Sequence, residues 1–279
     1  MAEKKSRFNS VLTVVFSLLS VLYISPIFIV LINSFKKKAY ISRQPFAFPT
    51  GKMLVGLENY VEGIKKIKFF EAAGWSFFIT VASVFVIVLC TSMCAWYITR
   101  VKNKFTETIY YLCVFSMIVP FQMVMFTLSK IANMLHLNTP WGIIIIYLGF
   151  GAGLAVFMFC GFVKSIPLEV EEASMIDGCT PIQTFFQIVL PMLKPTCITI
   201  AILQVMWIWN DYLLPYLVLD IRKYKTIPIA VQYLRGGYGS IDMGAMMAML
   251  VLAIIPIIVF YLLCQKHIIE GVAAGAVKG

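Results

Sequence analysis

The sequence has few charged residues and very few histidines. Charged residues make up 13% of the 279 positions, which is about half the share of about 25% found in soluble globular domains. The two histidines, His136 and His267, lie far apart in the sequence and are not expected to form a metal site together. We therefore expect no metal centre and no metal-dependent catalysis.

Two further features are missing: cysteines in exterior loops and a phosphate-binding loop. The seven cysteines lie in apolar runs or in one polar stretch, so no disulfide framework is indicated. The Gly-Lys pair at Gly51-Lys52 is followed by Met53 and lacks the earlier glycine of a G-x4-G-K-[ST] loop. The chain is therefore expected to hold no cofactor, to hydrolyse no ATP itself and not to be an enzyme.

Long apolar runs dominate what is present, since 61% of the residues are hydrophobic. Because about 20 apolar residues span the hydrocarbon core of a bilayer, these runs predict an all-α integral membrane protein with six transmembrane helices in a single domain, 1–279. The predicted spans are 11–32, 75–98, 109–128, 141–163, 196–219 and 243–263. The net charge of +10 comes from basic residues scattered over the connecting loops, which indicates contact with lipid headgroups rather than nucleic acid.

One polar stretch, residues 165–191, interrupts the apolar runs between predicted spans four and five. Glutamates at Glu169, Glu171 and Glu172 occupy the first turns of a predicted helix, where the positive end of the helix dipole favours carboxylates. Gly178 is expected to end that helix. Residues typical of an N-cap, a first-turn proline and a capping-box partner follow, namely Thr180, Pro181 and Gln183. The stretch therefore predicts a helix, a glycine turn and a second helix.

This stretch, hereafter the coupling segment, resembles the E-A-A-x-x-x-G-x9-I-x-L-P signature of ABC-importer permeases. The matching residues are Glu172, Ala173, Ser174, Gly178, Ile188, Leu190 and Pro191. Ser174 departs from the signature, since the family usually has alanine there. In that family the segment is a cytoplasmic coupling helix pair that docks into a groove on the ATP-hydrolysing subunit. The resemblance implies ATPase contacts from these residues and from Glu171 and Asp177; an ordinary amphipathic or re-entrant helix pair is the alternative.

Asp211 is the one carboxylate inside a predicted apolar span. An ionisable group in a membrane is costly, so it normally faces a cavity or a partner. Pro215, four residues later, cannot donate to the Asp211 carbonyl and leaves a gap in the helix. Such a polar, aromatic-rich kink would suit a sugar pathway formed by Trp207, Asn210, Asp211 and Tyr212. Alternatively, Asn210 and Asp211 satisfy backbone groups at the kink or hold a neighbouring helix.

Two other stretches sharpen the resemblance. Residues 209–215 resemble the W-N-(D/E)-(Y/F)-x-x-P pattern of carbohydrate permeases, specifically the second permease subunit of the maltose-transporter type, and residues 264–279 resemble that family's cytoplasmic tail. The tail residues implied to reach the ATPase subunits are Gly275, Ala276, Val277, Lys278 and Gly279. The loop residues implied to contact the binding protein are Arg235, Gly236, Gly237 and Tyr238. A frayed chain end is the alternative for the tail.

The resemblance implies a permease subunit of an ATP-driven importer for a sugar, expected to be an oligosaccharide, in the cytoplasmic membrane of a prokaryote. The implied partners are a second homologous permease, two ATP-binding subunits that hold ATP and Mg, an extracellular solute-binding protein, the sugar and membrane lipid. It also implies that both termini are cytoplasmic, although the raw count of Lys and Arg favours the opposite side. The alternatives are an ABC permease for a non-sugar solute and an ion-coupled secondary transporter that uses Asp211.

Overall fold

The structure is a computed structural model that describes residues 2–234 and 241–276, with side chains described for residues 12–234 and 241–266. These residues form helices and no β-strand, apart from an isolated bridge between Lys36 and Leu54. The helices are α1 (Ala2–Asn33), α2 (Lys38–Arg43), α3 (Glu58–Ile67), α4 (Phe69–Arg100), α5 (Lys104–Ser116), α6 (Phe121–Met134), α7 (Gly142–Val163), α8 (Leu168–Ile176), α9 (Pro181–Thr184), α10 (Leu190–Met192), α11 (Lys194–Asn210), α12 (Leu213–Val218), α13 (Ile227–Gln232) and α14 (Met243–Ala276). The predicted all-α fold is confirmed.

Four helices in the described part of the chain are long and apolar enough to cross a membrane. They are Leu12–Asn33 of α1, all of α4, all of α7 and Met243–Lys266 of α14. Two further pairs reach the required length only together, and each is sharply bent: α5 with α6 by 108°, and Pro181–Met192 with α11 by 74°. Residues 2–234 and 241–276 therefore contain four continuous candidate spans and up to two broken ones.

Two of the predicted spans are divided in the structure. The sequence predicts one helix over 109–128, but the chain is divided there into α5 and α6, with Pro120 directly before α6. Proline disfavours helical backbone at the residue before it and lacks the N–H that would continue the helix. The predicted span over 196–219 is likewise divided into α11 and α12 at Asp211. By contrast, α14 extends beyond the predicted sixth span to Ala276.

The chain forms two compact units, of which the first comprises Met1–Phe70 and Ala230–Ile258. In this unit the loop after α1 is held by Lys36, whose side chain is fully buried. Its ammonium group donates to the carbonyl oxygens of Gln44 at 2.9 Å and Pro45 at 3.3 Å. Burial lowers the pKa of Lys36. The loop is thus fixed by a buried cation that neutral acceptors surround.

The second unit comprises Glu71–Ile229 and Val259–Gly279 and contains a large apolar core. Within it, α7 packs against α5 and α11. Gly153 of α7 permits a close approach of α5, because a Cβ atom at this position would lie 2.7 Å from the carbonyl oxygen of Cys113. Small residues allow such approaches between helices in lipid. This unit holds the coupling segment and the break beside Asp211.

Candidate functional site

The coupling segment has the predicted order of helix, turn and helix. After α8, Gly178 adopts a φ of +91°, a conformation that favours glycine, and the chain turns. The predicted capping box then begins α9. The Gln183 N–H donates to Thr180 Oγ1 at 3.3 Å, and the Thr180 N–H donates to Gln183 Oε1 at 2.8 Å. Two short helices are therefore joined by a turn whose geometry the local sequence specifies.

A π-helical turn, Phe185–Val189, connects α9 to α10. Pro191 has no backbone N–H to donate to the carbonyl of Gln187, which interrupts the regular α-helical hydrogen bonding at this point. Turns of this kind are rare and occur frequently at functional sites. The end of the signature, Ile188, Leu190 and Pro191, therefore lies at the irregular connection between the coupling segment and α11.

Among the residues predicted to contact an ATPase, those in and directly after α8 divide into an exposed and a buried group. The exposed side chains and turn residues at α8 are Glu172, Ala173, Asp177 and Gly178. By contrast, Glu171 is 2% exposed and Ser174 is 7% exposed. The first group is accessible to a docked partner, whereas the second is buried within this chain. Contact of any of these residues with an ATPase stays a prediction.

The buried carboxylate of Glu171 is bonded to two side chains of α4. Trp96 Nε1 donates to Glu171 Oε2 at 2.9 Å, and Arg100 donates to Glu171 Oε1 from Nε at 3.0 Å and from Nη2 at 2.7 Å. Arg100 Nη2 also donates to the carbonyl oxygens of Ile166 at 2.9 Å and Val163 at 3.3 Å, where α7 ends. Arg100 therefore joins α8, α4 and the end of α7.

Sequence reasoning missed Trp96 and Arg100 as parts of this site. Arg100 follows the predicted second span, 75–98, and reads as one residue of a basic turn with Lys102 and Lys104. The available signals were a basic residue near the end of one span and an acidic residue near the start of a coupling helix. Neither signal specifies the pairing, because Arg100 and Glu171 are 71 residues apart.

Ser174 and Thr184 hold the two helices of the coupling segment together. The Ser174 hydroxyl donates to the carbonyl oxygen of Glu171 at 2.8 Å, and the hydroxyl oxygens of Ser174 and Thr184 lie 3.0 Å apart. The Thr184 side chain is fully buried. Next to them, the rings of Trp96 and Phe185 have centroids 5.5 Å apart. The serine that departs from the family signature thus forms a hydrogen bond that an alanine would lack.

Asp211 lies at the break between α11 and α12, where its carboxylate has defined partners. Its Oδ1 accepts hydrogen bonds from the N–H groups of Leu213 at 3.0 Å and Leu214 at 3.3 Å. Its Oδ2 accepts from the hydroxyl of Tyr147 on α7 at 3.1 Å. This arrangement has the features of the structural interpretation, in which the aspartate satisfies backbone groups at the kink and holds a neighbouring helix.

The other predicted pathway residues lie around this break. On α11, Trp207 is 40% exposed and packs edge-on against Tyr147 with ring centroids 5.4 Å apart. Asn210 is exposed, and its Nδ2 donates to the Met206 carbonyl at 2.7 Å. Tyr212 is partly buried and stacks on a nearby tyrosine ring. Trp207 and Asn210 thus share an exposed face of α11 that could meet a solute.

Several predicted contacts lie outside the described residues. These are Arg235, Gly236, Gly237 and Tyr238 of the loop and Val277, Lys278 and Gly279 of the tail. Gly275 and Ala276 are described as the last backbone positions of α14. Over residues 12–234 and 241–266, whose side chains the structure describes, no group of three or more His, Cys, Asp or Glu residues could hold a metal ion.

Residues 87–273 match the model of a known protein family, described as "Binding-protein-dependent transport system inner membrane component". This match includes the coupling segment, the Asp211 break, the C-terminal part of α4 and most of α14. More than half of the chain therefore has the pattern of this family.

Two relatives cover nearly the whole chain. "Probable starch degradation products transport system permease protein AmyC" of Thermoanaerobacterium thermosulfurigenes is 40% identical, over 93% of this chain and 93% of the relative. The multiple sugar-binding transport system permease protein MsmG of Streptococcus mutans serotype c is 35% identical, over 92% of this chain and 93% of the relative. Among solved structures, a chain of a bacterial ABC transporter involved in the import of the acidic polysaccharide alginate aligns with a TM-score of 0.78 and 20% identity, over 94% of this chain and 97% of that chain. This last likeness concerns the fold.

Proposed function

The chain belongs to the family of binding-protein-dependent transport system inner membrane components, and we propose that it is a permease subunit of an ATP-driven importer for sugars, oligosaccharides in particular. The observation that supports this function most directly is the exposed face of the coupling segment, held against α4 and α7 by buried bonds to Glu171. The printed names of AmyC and MsmG refer to starch degradation products and multiple sugars, which supports a carbohydrate as the solute.

The permease acts with several partners under this proposal. A second, homologous permease completes the pathway, two ATP-binding subunits hold ATP and Mg, and an extracellular binding protein delivers the sugar. The sugar is moved and not chemically changed. The coupling segment, both termini and the tail that includes Gly275, Ala276, Val277, Lys278 and Gly279 lie on the cytoplasmic side, where ATP is available. The loop with Arg235, Gly236, Gly237 and Tyr238 faces the binding protein.

The proposed mechanism begins at the exposed group of α8. Closure of the ATP-binding subunits moves the surface formed by Glu172, Ala173, Asp177 and Gly178. Because Glu171 on the same helix is bonded to Arg100 of α4, and Arg100 also bonds carbonyls at the end of α7, this movement reaches two spans directly. Rigid-body rotation of the spans then changes the side from which the pathway is open.

The exposed face of α11 offers the best-suited groups for the sugar pathway. Trp207 presents a ring on which the C–H face of a sugar can pack, and Asn210 presents an amide for sugar hydroxyls. Both side chains are exposed. Asp211 supports this face structurally and does not bind the sugar, because both of its carboxylate oxygens accept hydrogen bonds from the protein. These bonds argue against the alternative of an ion-coupled transporter in which Asp211 binds a proton or cation.

The function is tested with a charge reversal on the docking surface. Glu172→Lys should weaken the attachment of the ATP-binding subunits, because the loss of a charged contact at an interface costs about 2 kcal/mol or more, about a 30-fold change in affinity. The chain is co-expressed with its operon neighbours, and the subunits that co-purify are quantified. ATPase activity is then measured with binding protein loaded with an oligosaccharide, a peptide or an amino acid.

The matched control is Glu169→Lys, which makes the same change at an exposed position of the same helix outside the signature. We expect the control to retain the ATP-binding subunits, and we expect stimulation by the oligosaccharide-loaded protein alone. If Glu172→Lys retains both the subunits and sugar uptake, the proposed coupling is wrong. If only a peptide or an amino acid stimulates, the carbohydrate assignment is wrong.

A further inference from the structure

A cavity of about 490 Å³ lies where α4 ends, α5 begins and α7 ends. Ile98, Tyr110 and Cys160 line its apolar part. The Cys160 side chain is 2% exposed, and Ile98 and Tyr110 are partly buried. The cavity therefore reaches from the protein surface to the edge of the apolar core between three helices.

Three lysines line the same cavity from two separate segments. Lys102 and Lys104 come from the turn before α5 and from its first residue, and Lys164 directly follows α7. All three side chains are exposed, and none forms an ion pair within the described part of the chain. Glu107 is the one carboxylate in the lining. Three positive charges thus face one negative charge, and the excess of positive charge favours the binding of an anion.

Three polar side chains in the lining already have partners within the protein, and the lysines supply the positive charge for a ligand. Asn103 Oδ1 accepts from the Thr106 N–H at 2.9 Å, and Thr106 Oγ1 donates to the Val101 carbonyl at 2.7 Å. Thr99 Oγ1 donates to the Ala95 carbonyl at 2.7 Å. Ammonium groups on flexible side chains act as point charges, which suits a phosphate without demanding a fixed orientation.

The surroundings favour a lipid as the source of this phosphate. The continuous spans α4 and α7 end at Arg100 and Val163, beside the cavity, which places the lysines at headgroup depth. One turn further along α5, an exposed apolar face begins with Tyr111, Leu112 and Phe115, which are about 60% exposed each. Acyl chains could lie on this face while the headgroup occupies the cavity.

We propose that this cavity binds the phosphate of an anionic phospholipid, with its acyl chains along α5. Basic pockets between transmembrane helices are known to bind acidic headgroups. A docking surface for an acidic patch of a partner protein fits less well, because the cavity is recessed between helices and has an apolar floor.

The test uses the purified transporter with its partner subunits, first delipidated and then titrated with phosphatidylglycerol or phosphatidylcholine. Native mass spectrometry counts the bound lipids. Each lysine near a membrane surface contributes about fivefold to the affinity for an acidic lipid, so the triple variant K102Q/K104Q/K164Q should bind phosphatidylglycerol about 100-fold more weakly. The triple variant K102R/K104R/K164R keeps the charge and should bind normally.

A matched control removes three exposed lysines elsewhere, in the variant K37Q/K52Q/K223Q, and should bind phosphatidylglycerol like the unchanged protein. Equal binding of phosphatidylcholine, or unchanged binding by the glutamine variant, would overturn the proposal. Inorganic phosphate is titrated in parallel. If it displaces phosphatidylglycerol at equal concentration, the site takes a free anion instead. If the glutamine variant keeps the lipid but loses the ATP-binding subunits, the lysines form a protein interface instead.

Discussion

Glu171 lies in the first turn of α8 and Asp211 at the break between α11 and α12, and these two carboxylates differ in the origin of their partners. Glu171 is bonded by Trp96 and Arg100, which precede it by 75 and 71 residues. Asp211 accepts two backbone N–H groups from the next turn of its own chain, and Tyr147 supplies its third bond. The first carboxylate joins separate helices, whereas the second mainly begins a short helix.

The difference has a chemical consequence. Glu171 faces the guanidinium of Arg100 at 2.7 Å, so its negative charge balances a cation that is 19% exposed at the side chain. The groups that donate to Asp211 are neutral, so a neutral side chain of the same shape could accept hydrogen bonds at this position. Loss of the charge should therefore lower stability and transport strongly at Glu171 and only slightly at Asp211.

The largest effect is expected for Glu171→Ala. Removal of one partner from a buried ion pair leaves an uncompensated charge and costs about 3–5 kcal/mol, with the lower value expected because Arg100 retains some exposure. The coupling segment would also lose its bonds to α4. Thermal unfolding of the purified complex and the ratio of sugar transported to ATP hydrolysed measure the two effects.

Two variants separate coupling from stability. Glu169→Ala removes an exposed carboxylate from the same helix; it should leave the ratio of sugar to ATP unchanged and lower stability by about 1 kcal/mol or less, through the lost interaction with the helix dipole. The reversed pair R100E/E171R restores opposite charges and should recover part of the transport that either single change removes. If the reversed pair is no better than the single variants, the ion pair does not link α8 to α4 in the way described.

A smaller effect is expected at the break in α11. Asp211→Asn keeps an oxygen for the Leu213 and Leu214 N–H groups, and transport should stay within about twofold, since only a charge with neutral partners is lost. Asp211→Ala removes the helix cap, which costs about 1–2 kcal/mol. Uptake assays and thermal unfolding of both variants check these values.

The comparison between the asparagine and alanine variants also tests the role of the charge. A transporter that needs a proton or cation at Asp211 would be inactive with either residue. If Asp211→Asn abolishes uptake while the complex is stable and the ATP-binding subunits stay attached, Asp211 acts in the pathway. Dissipation of the proton gradient, with ATP kept constant, should leave uptake by the unchanged protein intact.

Features that neighbouring residues specify could be predicted from the sequence. The turn at Gly178 and the capping box of Thr180 and Gln183 depend on residues within one helical turn of each other, and the structure has both. Pro120 lies where the predicted third span divides, but a proline alone does not specify the 108° bend between α5 and α6. Local sequence thus gives the elements more reliably than the angles between them.

The orientation of side chains in the candidate site could be predicted only in part. Glu169, Glu171 and Glu172 lie within four positions of each other, and nothing in that pattern shows that Glu171 alone is buried. Its burial depends on Arg100 from a distant helix. For Asp211 the kink at Pro215 was a local signal, and one of the two interpretations drawn from it matches the observed hydrogen bonds.

The smallest effect is expected for Ser174→Ala, which introduces the residue usual in the family. Loss of the hydroxyl leaves the buried Thr184 without this partner, and a neutral hydrogen bond contributes about 1 kcal/mol. Transport should be retained, because the adjacent rings of Trp96 and Phe185 still pack together. Thermal unfolding of S174A, T184A and the double variant forms a double-mutant cycle. If the two losses simply add, the hydroxyls do not stabilise each other, and the helix pair is held by Glu171 and apolar packing alone.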